Sequence, residues 1–297
     1  MKAFYTDIFV LPLPDGHRFP MAKYAMLREQ VATLDAVEMH IPPAATDVEL
    51  IRVHTLEYVS RVQTGHLSAQ EIRRIGFPWS LEMVERSRRS SGATIAACRA
   101  AIVDGTAVNL AGGTHHAFAD RGGGYCVFND AAIAARAMQA EGFAKRVLIV
   151  DCDVHQGDGT AAIFRDDPSV YTFSIHGENN YPFHKEQGDL DIALPDGTSD
   201  DVYLAALADG LAQAVEHAQA EAAIYVAGAD AHLGDRLGKL KLTKEGMARR
   251  DRMVLSTLRA AGLPIAVTMG GGYGKRVEDT VAIHFQTVQI ALEYAAT

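Results

Sequence analysis

The sequence predicts an α/β fold: a single three-layer domain, residues 1–297, whose central, mostly parallel sheet carries helices on both faces. Three observations predict it. Short, predominantly apolar runs recur at 107–111, 147–150, 223–227 and 264–268, the composition of parallel strands buried on both sides. Amphipathic or Ala-rich stretches of helical length fill 80–104, 129–141, 200–220, 243–261 and 276–295. Finally, no Pro- or Ser-rich linker, internal repeat or low-complexity tract divides the 297 residues, whose 48% hydrophobic content suffices for one large core.

Taken in chain order, the first strand, Ala107-Val108-Asn109-Leu110-Ala111, runs into Gly112-Gly113-Thr114-His115-His116. Its glycines allow a tight turn that presents two adjacent histidines. A lone core histidine is commonly structural, but a pair beside spare aspartates suits Asp-His dyads that set tautomer and basicity. The second strand, Val147-Leu148-Ile149-Val150, leads into Asp151-Cys152-Asp153-Val154-His155-Gln156-Gly157-Asp158. Charged groups clustered there are costly to bury unless they hold a metal, pair or do chemistry. Alternation lets Asp153 and His155 face one point and leaves Asp151 and Asp158 for supporting contacts. Mixed oxygen and nitrogen donors suit zinc or ferrous iron better than magnesium or calcium.

A solvated acidic loop is the bland alternative, and the remaining strands weigh against it. Ala223-Ile224-Tyr225-Val226-Ala227 runs into Gly228-Ala229-Asp230-Ala231-His232, and Pro264-Ile265-Ala266-Val267-Thr268 into Gly270-Gly271-Gly272-Tyr273. All four polar clusters follow strands. Ligands of an open parallel sheet bind beyond the carboxyl ends of its strands, so segments scattered in sequence can converge there.

Composition narrows the function classes. A net charge of −9 argues against broad nucleic-acid binding and would suit a cationic peptide or polyamine. Cys98, Cys126 and Cys152 lack paired spacing, so reduced thiols in apolar packing are expected. With no apolar stretch of membrane-spanning length and no signal-peptide core near Met1, a cytoplasmic location and no membrane partner are expected. Arg86, Arg88 and Arg89 read as a solvated helix face. His176, His184, His217 and His284 read as structural or exposed, whereas His17 and Phe77-Pro78-Trp79 are candidates for a pocket rim. No long heptad fixes an oligomeric state.

The chain resembles the histone deacetylase superfamily, the arginase/deacetylase fold, over nearly its whole length. The resemblance rests on GGTHH at 112–116, GGGYCVFND at 122–130, DCDVHQGDGT at 151–160, GAD followed by GDRLG at 228–238, and GGGY at 270–273, all in the family's order. Gln156, the continuation Gly274-Lys275-Arg276 and the short chain look most similar to class IV-like and bacterial members.

This resemblance implies Asp153, His155 and Asp230 as metal ligands and His115 and His116 as paired catalytic histidines. It sets Asp151 behind His115, Asp158 behind His116, and Tyr273 as the donor to the substrate carbonyl. Arginase-type relatives bridge two manganese ions, but Gly157 and His232 stand where they need further acids, so a single zinc, or ferrous iron, is expected. Structural potassium would lie near Asp151, Asp153, His155, Ser174 and Ile175. Family members line a substrate tunnel at positions matching Gly124, Tyr125, Tyr181, Leu237, Gly271 and Gly272. Thr114 replaces a bulky aromatic found before the histidines in class I members, which leaves space for acyl groups longer than acetyl.

The implied activity is removal of acetyl or longer acyl groups from the side-chain amine of lysine in a protein or peptide. The metal supplies an acidified water, the metal and Tyr273 stabilise the oxyanion, and His116 moves the proton with His115 in electrostatic support. The alternatives are an acylpolyamine amidohydrolase acting on a small acyl-amine, and a catalytically silent acyl-amine binding protein.

Overall fold

The computed structural model describes residues 1–295. Its strands are β1 (Lys2–Phe4), β2 (Glu38–His40), β3 (Thr106–Asn109), β4 (Val147–Asp151), β5 (Val170–Gly177), β6 (Leu190–Leu194), β7 (Ala222–Ala227) and β8 (Ile265–Met269). The helices are α1 (Ala22–Val31), α2 (Asp47–Leu50), α3 (Leu56–Thr64), α4 (Ala69–Ile75), α5 (Leu81–Asp104), α6 (Asp130–Ala140), α7 (Asp158–Phe164), α8 (Asp200–Ala218), α9 (Lys244–Ala260) and α10 (Val277–Glu293).

All eight strands join one open parallel sheet in the order β2-β1-β3-β8-β7-β4-β5-β6. The four strands that end in polar clusters, β3, β8, β7 and β4, are consecutive neighbours at its centre. Adjacency brings together residues that lie more than a hundred positions apart.

The apolar runs are continuous because both faces of the sheet are covered. Successive side chains alternate sides. Leu148, Val150, Tyr225 and Val267 enter one core, closed by Leu27 of α1, Tyr203 of α8, Met247 of α9 and Val281 of α10. Val147, Ile149, Ile224 and Ala266 enter the other, closed by Tyr58 of α3, Met83 of α5 and Ala131 of α6. Each such aliphatic side chain contributes about 1.5–3 kcal/mol by leaving water. No helix among the described residues is long and apolar enough to cross a membrane.

One sequence expectation fails here. Arg86, Arg88 and Arg89 on α5 do not form a solvated face. Arg86 is buried, donates to the carbonyls of Thr6 (2.9 Å) and Phe9 (3.2 Å), and lies over the Tyr24 ring. Arg88 donates to Ala45 O at 2.9 Å, and Arg89 donates to Pro42 O at 2.8 Å while covering Phe9. Three guanidinium groups thus strap irregular N-terminal segments whose carbonyls lack strand or helix partners, a demand that charge spacing does not reveal.

Candidate active site

The floor of the site is built where β4 and β7 stop. Beyond Asp151 the chain turns through side-chain to backbone bonds: Asp153 N–H donates to Asp151 Oδ1 (3.0 Å), and His155 N–H to Asp153 Oδ1 (3.0 Å). Across the sheet, Val154 N–H donates to Asp230 Oδ1 at 2.9 Å and Gly271 N–H to Asp153 Oδ2 at 2.6 Å. The result is a buried trio in which His155 Nδ1 lies 2.9 Å from Asp153 Oδ1 and 3.1 Å from Asp230 Oδ2. Gly271 permits this closure, because a Cβ there would stand 1.9 Å from Asp230 Oδ2.

The trio's chemistry fits a divalent cation. Asp153, His155 and Asp230 each offer one ligand atom within 4.8 Å of the others, and the buried Asp230 Oδ2 makes no hydrogen bond, with His155 Nδ1 3.1 Å away. Burial, followed by the Asp153 charge, raises Asp230 to about 7. Burial opposes charge on His155 as well, but the adjacent carboxylates of Asp153 and Asp230 outweigh it and hold the imidazole at about 10. The cluster demands positive charge, and a cation bound by two carboxylates and an imidazole meets that demand.

The histidine pair stands beside the trio. His115 Nδ1 lies 2.6 Å from Asp151 Oδ2, and His116 Nδ1 lies 2.6 Å from Asp158 Oδ1, the first residue of α7. The two bonds have different consequences. His115 resists burial because Asp151 and then Asp153 hold it at about 9. Burial and then the charge of His115 push His116 down to about 4. Asn129 fixes this loop by capping α6 with its Oδ1 while donating Nδ2 to Ala117 O at 3.1 Å.

Above the floor opens a cavity of about 430 Å³ lined by His115, His116, Asp153 and His155 below and by Gly124, Tyr125, Tyr181, Leu237, Gly271 and Tyr273 on its walls. Gly272 instead lies buried behind the wall, its carbonyl 3.5 Å from Lys23 Nζ. Gly124 lets the wall approach His116, where a Cβ would meet Cδ2 at 2.6 Å; the next residue, Tyr125, takes φ 67° and turns the loop. Ser174 pairs with Asp151 across the β4–β5 ladder, and Ile175 follows it.

Several further residues shape the site. Lys23 on α1 is buried, lines the cavity and lies within 5.6 Å of the Tyr273 ring centre. Asp235 accepts from Tyr273 N–H (2.6 Å), Leu237 N–H (2.8 Å) and Gly238 N–H (3.0 Å), joining two walls. Asp130 accepts Thr114 N–H at 2.7 Å and sits 2.6 Å from the Thr114 hydroxyl. Both aspartates lie inside quoted sequence runs, so their position was legible but not their role. The rim candidates do not line the cavity: His17 Nε2 lies 2.9 Å from Gly76 O, Phe77 packs on Tyr125, and Trp79 donates to Val62 O at 2.7 Å. The cavity lining includes Lys23, Arg73 and Arg74, and its carboxylate is Asp153 at the floor.

The chain is similar over nearly its whole length to known proteins. A family model described as histone deacetylase domain matches residues 17–288. The chain is 46% identical over 283 residues to an uncharacterised protein of Picosynechococcus, covering 94% of each. It is 30% identical over 288 residues to histone deacetylase 2 of Arabidopsis thaliana, covering 93% of this chain and 74% of the relative. Among solved structures, the HDA15 HD domain superposes with a TM-score of 0.82 at 25% identity, covering 98% of this chain and 90% of that one.

Proposed function

The chain belongs to the histone deacetylase family of amidohydrolases, and from that premise we propose that it hydrolyses the side-chain amide of acyl-lysine in peptides or proteins, with zinc or ferrous iron as cofactor. The observation that carries the reading is the orphaned, buried Asp230 Oδ2 within the Asp153, His155 and Asp230 cluster, directly beneath a paired-histidine cavity. These three residues would hold the ion, which when bound supplies Lewis acidity toward a water and the acyl carbonyl.

The chain's own groups do the rest. His116 is neutral at physiological pH, its Nδ1 is held by Asp158, and Nε2 is left to take a proton from the attacking water and return it to the leaving amine. His115, cationic against Asp151, contributes positive charge without exchanging its proton. The Tyr273 hydroxyl has no partner within the described chain, and burial, then Asp153, keeps it protonated far above neutrality. It can therefore donate to the developing oxyanion. Structural potassium is proposed beside Asp151, Asp153, His155, Ser174 and Ile175, supported by the Asp151–Ser174 pairing.

Thr114 supports acyl groups longer than acetyl. Its hydroxyl is turned to Asp130 and Phe128 O, and behind it lies a second cavity of about 50 Å³ lined by Leu11, Phe77, Met83, Val127 and Phe128. This hollow borders Gly112 and Tyr125, which also line the main cavity. Matched peptides carrying acetyl, butyryl and octanoyl lysine test the idea: butyryl or octanoyl should be hydrolysed at least as fast as acetyl, and acetyl being fastest would reject it. Among the described residues, the acylpolyamine alternative finds no carboxylate in the cavity lining besides Asp153 at the floor to receive a cationic tail.

A further inference from the structure

We propose that the mouth of the catalytic cavity is a carboxylate-recognition subsite formed by Arg73 and Arg74, so that preferred substrates carry an anionic group close to the acylated lysine. This rests on the deacylase reading and names the class of substrate within it.

The two arginines occupy the last turn of α4, and the helix is held so that they border the cavity. Ser68 and Glu71 form a capping box at its start, and Gly76 closes its end at φ 86°. Gly124 N–H then donates to Arg74 O at 3.0 Å and Tyr125 N–H to Ile75 O at 2.7 Å, which fastens the end of α4 to the tunnel-wall loop. A Cβ added at Gly123 would meet the Arg74 stem at 3.5 Å and the Tyr181 hydroxyl at 3.6 Å, so both side chains flank the same point of that loop.

Cations at a helix C-terminus are commonly solvated and interact only with the dipole. Three observations favour recognition instead. Arg73 and Arg74 both line the catalytic cavity. Among the described residues neither guanidinium has a hydrogen bond or ion pair, although the carboxylate of Glu71 in the same helix is taken by Arg61 at 2.9 Å. The carboxylate in the cavity lining, Asp153, is engaged at the floor by Gly271 N–H and His155. Among the described residues, the two guanidinium groups bordering the cavity are therefore not neutralised by an ion pair. A guanidinium fork matches a carboxylate in shape and charge, whereas a lysine-rich flank or a polyamine tail meets like charge. The anion can be an acidic side chain beside the acyl-lysine or the α-carboxylate of free Nε-acyl-lysine.

The test uses the zinc-loaded full chain and acetyl-lysine peptides identical except for a flanking Glu, Gln or Lys, together with free Nε-acetyl-lysine and its α-amide. At low ionic strength kcat/KM should favour Glu over Gln by about fivefold per engaged arginine, the size of a good exposed ion pair, with Lys lowest. High salt should shrink the ratio. A matching preference for free Nε-acetyl-lysine over its amide assigns the α-carboxylate as a source, and its absence assigns the acidic flank alone. Arg73→Gln combined with Arg74→Gln should bring the Glu/Gln ratio to unity; a ratio of two substrates on one preparation is unaffected by any misfolded fraction. Equal rates for Glu, Gln and Lys, or a ratio that survives in the double variant, overturns the proposal. If no peptide is turned over, the deacylase reading fails by itself. Fluorescence anisotropy with the same labelled peptides still reads the mouth, where tighter binding of Glu supports the subsite and equal binding rejects it.

Discussion

The rings of His115 and His116 stand 4.1 Å apart, and each Nδ1 is bound to a different buried aspartate. Proximity separates their proton affinities, because the charge that Asp151 secures on His115 is one cause of the low proton affinity of His116. His116→Ala should lower kcat by about 10²–10⁴, the usual worth of general acid–base catalysis. His115→Ala should cost less and raise the proton affinity of His116. Steady-state kinetics over pH on both variants checks this, and a larger loss for His115→Ala would reverse the assignment.

Tyr273 is held from behind by its backbone bond to Asp235, so its ring position does not depend on the hydroxyl. Tyr273→Phe should therefore reduce kcat by about 10²–10³, the worth of one oxyanion donor, while leaving peptide binding nearly intact. Equal losses in turnover and in equilibrium binding would count against the role assigned to Tyr273.

Arg250 on α9 reaches the site from the rear. Fully buried, it donates to Gly228 O at 2.6 Å and Cys152 O at 3.2 Å and pairs with Asp251, which accepts from Tyr225 and Thr287 hydroxyls. Gly228 and Cys152 immediately precede the segments that carry Asp230 and Asp153. Arg250→Met leaves Asp251 buried without its cation and should destabilise the fold by about 3–5 kcal/mol. Urea unfolding reads the stability, and competition with a chromophoric chelator should show weaker metal retention in the folded variant.

His54 gives an acid-side prediction remote from the metal cluster. Burial lowers its pKa from 6.5 to about 4, and its neutral ring accepts Asn129 N–H at 3.0 Å. Between these pH values the unfolded chain binds a proton that the folded chain refuses. Its stabilisation is therefore complete above about pH 6.5 and is lost as pH falls toward 4, by at most about 1.4 kcal/mol per pH unit. The stability gap between the wild type and His54→Gln, from urea titrations, should narrow over this interval; a constant gap would contradict the account.

The central sheet and the reactive cluster were readable in the sequence because β3, β4, β7 and β8 are apolar on both faces and end abruptly in glycines, histidines and aspartates. The three-residue strands β1 and β2, at one end of the sheet, carry too little periodicity to announce themselves. Lys23 reaches the cavity from a helix whose sequence has no motif, and the strap formed by Arg86, Arg88 and Arg89 recognises carbonyls, which any residue provides. Net charge gives no guide to the cavity lining, because a global sum of −9 does not say that Arg73 and Arg74 border it.

The most direct test of the central claim is hydrolysis of an acyl-lysine peptide by the purified chain before and after chelation, repeated with Asp230→Asn. Turnover that disappears on chelation, returns with zinc or ferrous iron, and is absent in the variant together with tight metal binding is the predicted result. Turnover that persists without metal, or an Asp230→Asn protein that retains both metal and activity, would contradict the account.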